Sequence, residues 1–241
     1  MGCDTSGAQL RLLSELTAGE VVGINIPATF PNDQAQALAG PNVTLLRMDG
    51  MELLFPDESF DLVISANVME HVPDPRRFIS EAARVIRPDG VVYMETAPLW
   101  SRARGHHIHE EMIGRYSPEE RNYRNDGSVI PDWSHLSLTK QKMREVLETK
   151  LLPQTCDYIL HYLYDLHDLN ETPWSVIRSA FTSAFRSAKI STWQLSDADE
   201  RWKPVDGAED YTVCGFSAVL RQTPPNPVTS RLYWRLRRLG L

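Results

Sequence analysis

Residues 59–78, Ser-Phe-Asp-Leu-Val-Ile-Ser-Ala-Asn-Val-Met-Glu-His-Val-Pro-Asp-Pro-Arg-Arg-Phe, constrain most narrowly what this chain can fold into. Residues 60–65 are a short apolar run with β-branched members, the composition of a strand buried on both faces. The run stops at polar Ser65 and Asn67, passes Glu70-His71 and breaks at Pro73-Asp74-Pro75. Asp74 suits a helix N-cap, and Pro75 suits the first helical position, where no amide donor is needed. Phe78, Ile79, Ala82, Val85 and Ile86 then recur at helical spacing. Pro88 is expected to end that helix, and Asp89-Gly90 to turn into a second apolar strand over 91–94. The unit is strand, polar loop, helix, strand. In an open parallel sheet ligands sit outside the carboxyl ends of the strands. The loop at 65–71 is therefore expected to face a ligand; spacing alone also admits a plain connection.

The preceding residues alternate in the same way. Leu10, Leu12, Leu13 and Leu16 predict a helix ending near Gly19. Strands are expected over 20–26 and 43–48, with a short helix over 32–39 between them. The fold class expected is α/β: a Rossmann-like open sheet, mostly parallel, with helices on both faces. After Pro98 the pattern loosens. Residues 100–132 are polar, rich in His, Arg, Asn and Tyr, and too long for an ordinary connection. Thr139 can cap a helix carrying Met143, Val146, Leu147 and Leu151, which Pro153 interrupts. Ile159, Tyr162, Leu163 and Leu166 mark a second helix; Trp174, Ile177, Ala180, Phe181 and Ala184 mark a third. Residues 190–195 and 211–220 read as the last two strands, followed by a stiff proline-rich linker at 223–227.

Charge and cysteine usage narrow the class. The net charge is −7, and from Gln222 onward there are four arginines and no acids, so the remainder carries 21 basic against 32 acidic side chains. An acidic body argues against nucleic acid as a partner, because phosphate binding needs a positive face. Cys3, Cys156 and Cys214 are widely spaced and fit neither a disulfide framework nor a zinc pattern. No apolar run approaches the ~20 residues of a membrane span. No basic and apolar leader precedes residue 10. The expected location is cytoplasmic.

The order of Gly2-Cys-x-x-x-Gly7, Val22-Gly-Ile-Asn-Ile26, Asp49-Gly-Met51, Phe55-Pro-Asp-Glu-Ser-Phe-Asp-Leu-Val63, Glu70-His-Val-Pro-Asp74 and Val85-Ile-Arg-Pro-Asp-Gly90 resembles the class I S-adenosylmethionine-dependent methyltransferases, of the type 11-like group. The resemblance covers roughly residues 1–97, and the final strand pair resembles the antiparallel end of the same sheet. It implies one methyltransferase domain over 1–221, with 98–187 as an acceptor-side insertion and 222–241 as a basic-apolar tail. It also implies S-adenosyl-L-methionine as cofactor. In the family a glycine loop lets backbone approach the cofactor's methionine end, which falls here on Gly2, Asp4 and Gly7. The ribose-binding acid of the family falls on Asn25, next to Ile26; an amide oxygen still accepts a hydrogen bond, without charge. Asp49 matches the acid that receives the adenine amino group, with Gly50 and with Met51 against the adenine face. Ser65, Asn67 and His71 are expected along the cofactor near the reacting methyl.

Two departures from the family pattern matter. The strand and acid that precede the glycine loop in the family have no counterpart before Gly2. The expectation is an N-terminally shortened form, which would fold poorly or bind cofactor weakly; the alternative is a native Met1 with the sheet repaired another way. Glu70-His71 also resembles the pair of ubiquinone-biosynthesis-type O-methyltransferases that is linked to a divalent metal, but Asn67 replaces the upstream acid there. No metal ligand is therefore assigned.

A hydroxyl acceptor must lose a proton on methylation, and histidine titrates in the right range. His106, His107, His109 and His135 fall in the long polar segment, with Glu110 and Glu111 beside them. If the chain is extended there, alternation puts His107 and His109 on one face. These two are the expected catalytic bases, His107 first. Arg102, Arg104, Tyr116 and Trp133 give the segment the character of a sugar or polar-metabolite pocket. The expected activity is O-methylation of a small-molecule acceptor, a saccharide or other polar metabolite. The alternatives are a non-catalytic methyltransferase-like binding or scaffold protein, or an inactive shortened fragment. The arginines at 231–238 alternate with apolar residues, so the tail could touch anionic lipid; self-packing is the simpler expectation.

Overall fold

The computed structural model describes residues 1–2, 8–17, 19–26, 40–108, 129–194, 198–204 and 208–223. Strands and helices alternate through α1 (Ala8–Leu16), β1 (Val21–Asn25), β2 (Val43–Arg47), β3 (Phe60–Ala66), α2 (Pro75–Val85) and β4 (Ile86–Thr96). Then come α3 (Ser134–Ser137), α4 (Lys140–Leu147), α5 (Pro153–His161), α6 (Trp174–Ala184), β5 (Ser187–Gln194), α7 (Ala208–Thr212) and β6 (Val213–Arg221). The tail at 224–241, the stretch 32–39 where a helix was expected, and part of the polar segment lie outside the described residues.

The strands form two sets. β1 and β2 pair in parallel, and the other four lie in the order β3-β4-β6-β5. β3 and β4 are parallel, while β6 runs antiparallel to both β4 and β5. This is the expected open α/β sheet with an antiparallel strand at its C-terminal end. Among the described residues no strand pairs the facing edges of β1 and β3. Residues 1 and 2 lie between those edges: the Met1 ammonium donates to Ile64 O at 2.5 Å, and the Gly2 amide to Ile24 O at 3.0 Å. Consecutive nitrogens thus point to opposite neighbours, as they do in the middle of a parallel sheet.

Strand alternation sorts side chains between the two faces. Val63 of β3, Ile86, Val92 and Met94 of β4, and Phe216, Ala218 and Leu220 of β6 enter the main core. There they meet Phe78, Ile79, Ala82 and Val85 of α2 and Ile177 and Phe181 of α6. Ile24 of β1 belongs to the same core, whereas Leu10 of α1 packs with Val21, Val43 and Leu45 on the other side. Helices α2 and α6 therefore cover one face of the four-stranded set, and α1 packs on β1 and β2 from the other side. A separate cluster gathers Met143, Leu147, Ile159 and Leu160 from α4 and α5 with Ile108, Val129 and Ile130.

The helix α2 begins as its sequence dictates. The Asp74 carboxylate accepts from the Arg76 and Arg77 amides, with Pro75 at the first turn. It ends earlier than expected, at Val85, with Ile86 already extended, and Pro88 lies inside β4. Proline disfavours helical backbone at the residue before it, so Arg87 must be extended and the strand starts upstream. Arg87, Pro88 and Asp89 are exposed and the β3 register is irregular at that point, which spares Pro88 the ladder bond it cannot make. Pro153, expected to break a helix, opens the next one at its first turn. Arg84 fastens α2 to the turn before β3 by bonding Leu53 O, Phe55 O, Asp57 and Glu81. Asp74→Ala should lower unfolding free energy by about 1 kcal/mol, the usual worth of an acidic N-cap. Chemical denaturation would measure it, and an unchanged midpoint would contradict this account of the α2 start.

Candidate active site

The expected site residues that are described gather at the carboxyl ends of β1, β2, β3 and β4. Asp49, Gly50 and Met51 form the turn after β2, where Asp49 Oδ1 accepts the Met51 amide at 2.8 Å. One carboxylate oxygen thus shapes the turn. The Asn25 side chain, at the end of β1, accepts from Ile26 N at 2.9 Å, so its amide oxygen stabilises the strand end. Ser65 ends the buried part of β3, and its hydroxyl is buried without a hydrogen-bond partner. Asn67 follows in a left-handed conformation, φ 52°, its amide donating to Glu95 O. Gly2 has φ +74°, and a Cβ there would lie 2.3 Å from a Val68 methyl. Only glycine fits that approach to the loop. Asp4, Gly7 and His109 lie outside the described residues.

The polar loop owes its shape to a buried acid. Glu70 is 6% exposed, and its carboxylate accepts the Thr96 hydroxyl of β4 at 2.7 Å. Burial raises its pKa, against the lowering effects of the Thr96 bond, a backbone bond and the nearby His71. From the far side the Asn170 amide donates to Glu70 O at 2.8 Å, and the Asn170 side chain donates to Met69 O. The loop is held between the sheet and the chain entering α6. His71 is exposed, 3.7 Å from Asp168, and lines a cleft of about 520 Å³ with Pro73, Asp168, Asn170, Thr172 and Val176.

His107 meets His71 edge to face, ring centroids 5.6 Å apart. Residues 101–106 form turns and His107 has φ 55°, so the alternation expected of an extended segment does not govern it. His107 Nε2 lies 2.8 Å from Pro98 O. A carbonyl can only accept, so Nε2 carries the proton and Nδ1 is the basic nitrogen of the neutral ring. His106 and His135 form a second edge contact, centroids 5.3 Å apart, and His135 donates from Nε2 to Trp100 O at 2.9 Å. Burial lowers the His135 pKa to about 4, so this ring is neutral at pH 7. Among the described residues no group of three or more metal-ligating side chains is assembled. The sequence reading left Thr96, Asp168 and Asn170 unassigned; each becomes relevant only through contacts distant in sequence.

A methyltransferase domain family matches residues 1–94. The chain is 28% identical over 219 residues to a probable chloroplastic tocopherol O-methyltransferase of Oryza sativa subsp. japonica, an alignment covering 86% of this chain and 52% of that protein. It is 36% identical over 83 residues to an uncharacterized methyltransferase of Mycobacterium tuberculosis, covering 32% of this chain and 33% of the relative. The chain thus spans about half the length of the rice relative and a third of the mycobacterial one. The YcgJ protein of Bacillus subtilis shares the fold at 13% identity with TM-score 0.50, covering 92% of this chain and 90% of that one.

The similarity is to the S-adenosylmethionine-dependent methyltransferases. Residues 1–94 match that family's methyltransferase domain, a similarity that implies S-adenosylmethionine as cofactor. The residues present fit the cofactor: Gly2 leaves a space a Cβ would fill, and Ser65 offers a buried hydroxyl without a partner.

The raised Glu70 pKa predicts a pH effect. The folded state holds the Glu70 proton more tightly than the unfolded chain, so this group's contribution is full below the ordinary value of 4.5. It is lost as pH rises through the folded value. Glu70→Gln keeps an oxygen for Thr96 and removes the titration. Relative to the parent, the variant should gain thermal stability steadily as pH rises from 4.5; parallel melting curves across pH would contradict the assignment.

Proposed function

We propose that this protein transfers a methyl group from S-adenosylmethionine to a hydroxyl of a small polar acceptor, a saccharide or similarly hydroxylated metabolite. The observation that carries the reading is the His71–His107 pair, set beside the polar loop of a methyltransferase domain and next to an open polar cleft. Gly2, Asp49, Met51, Ser65 and Asn67 would hold the cofactor, with Asn25 as an uncharged acceptor at the end of β1. When bound, the cofactor supplies an electrophilic methyl carbon on a sulfonium.

What the chain adds is positioning and a proton acceptor. The buried Glu70–Thr96 bond and the Asn170 contacts hold the loop rigid, so His71 faces the cleft from a fixed backbone. The bond to Pro98 O fixes the His107 tautomer, and Nδ1 takes the acceptor proton as the oxygen–methyl bond forms. His71, beside Asp168, is placed to orient the acceptor at the cleft mouth. The probable O-methyltransferase activity of the rice relative supports an oxygen acceptor.

Two substitutions test the assignments separately. Asp49→Ala should weaken S-adenosylmethionine binding by roughly 1–3 kcal/mol, as for a hydrogen bond to a charged group; equal affinities by calorimetry would move the adenine contact elsewhere. His107→Ala should lower turnover by about 10²–10⁴-fold with cofactor affinity nearly unchanged. Normal turnover in that variant, measured on a hydroxylated acceptor the parent methylates, would remove His107 as the base.

A further inference from the structure

Two segments beside the acceptor side of the sheet concentrate polar atoms that have no partner. The turn after β4 and the segment leading into α3 are laced together: Trp133 N donates to Ala103 O at 2.8 Å, and His135 to Trp100 O at 2.9 Å. Within this layer Ser101 Oγ, Arg102 Nε, Trp133 Nε1 and His135 Nδ1 are all buried without a hydrogen bond. Ser101 and His135 are each 6% exposed and Trp133 is 5% exposed. Native interiors leave only a few such atoms per hundred residues, and each calls for a partner such as water, an ion or a ligand. All four belong to the two segments that these bonds join.

Arg102 gives the layer its charge. Its neighbour Arg104 is satisfied, bonding Asp132 at 2.8 Å, and the other Asp132 oxygen takes the Asp199 amide at 2.8 Å. Among the described residues the Arg102 guanidinium has neither an ion pair nor a side-chain hydrogen bond. Its surroundings lower its pKa chiefly by desolvation. Desolvation of this half-buried guanidinium is a cost that the nearby Asp132 charge offsets only in part. The unpartnered groups are complementary to one kind of ligand: Arg102, Ser101 and Trp133 are donors, and His135, protonated on Nε2, offers Nδ1 as an acceptor. Two neutral donors beside a cationic one suit a compact oxyanion, and the lone acceptor suits an adjacent hydroxyl.

We infer that Arg102, Ser101, Trp133 and His135 form a binding site for an oxyanion, a carboxylate or phosphoryl group, carried on a hydroxylated small molecule. The site lies beyond the carboxyl end of β4, with Leu99 N bonded to Cys214 O at 2.9 Å beside it. It therefore anchors the acidic end of the methyl acceptor, an assignment that rests on the function proposed above, whereas the anion site itself does not. The acceptor class narrows accordingly to acidic hydroxylated metabolites.

The test is the melting temperature of the full chain titrated with phosphate and, separately, with acetate, each against chloride at equal ionic strength. The parent should show a saturable rise with at least one oxyanion; the stronger of the two identifies a phosphoryl or a carboxylate ligand. Arg102→Met should abolish the rise and, without oxyanion, melt at or above the parent, because it removes a charge compensated only in part. No rise in the parent, or an equal rise in both proteins, overturns the site. If Arg102→Met does not fold, Ser101→Ala and Trp133→Phe are read in the same assay. A weakened response is expected from each, and an undiminished response in both overturns the proposal. S-adenosylmethionine binding is measured in parallel: its absence in the parent would sink the methyltransferase reading and leave the oxyanion result standing.

Discussion

The buried Glu70 carboxylate on the Thr96 hydroxyl is the interaction on which the site depends. It joins the loop after β3 to the end of the neighbouring strand, and Asn170 closes the same loop from the other side. A charge-capable group inside the core is costly unless hydrogen-bonded, so the loop cannot drift without exposing or orphaning it. Ser65 is held by the β3–β4 ladder and Asn67 by its bond to Glu95 O, while the clasp holds the stretch that carries His71. The clasp rests in turn on the core formed by β3, β4, β6, α2 and α6.

The first hundred residues were largely legible because their information is local. Apolar period, the Asp74 cap and the Asp49-Gly50 turn each act within a few residues, and strands and helices followed. The end of α2 was misread because Pro88 was taken as a terminator, when its restriction on Arg87 had already selected a strand. The clasp itself was not legible: Glu70 meets Thr96 across 26 residues of sequence, and Asn170 reaches Met69 across 101. Composition marks none of these pairings.

The polar segment after Pro98 shows the same limit differently. Its histidines were visible as a cluster, but an extended geometry was assumed, and the turns at 101–106 with a left-handed His107 replace it. That turn brings His107 onto His71, and it sets His106 beside the neutral, buried His135. In the first pair His71 lines the cleft at the loop; the second pair belongs to the packed layer that contains Arg102. Arg104 and Arg102, two residues apart, likewise differ: Arg104 hydrogen-bonds Asp132, and Arg102 feels only its charge.

Under the proposed function the carboxyl ends of β1, β2 and β3 form one cofactor site. The most direct measurement is an amide-resolved NMR titration with S-adenosylhomocysteine, the demethylated product, which binds without turnover. The account predicts saturable shifts at the amides of Gly2, Asp49, Gly50, Met51, Ser65 and Asn67, with the residues of α4 and α5 unmoved. Absence of shifts at these six, or shifts confined to the α4–α5 cluster, would contradict it.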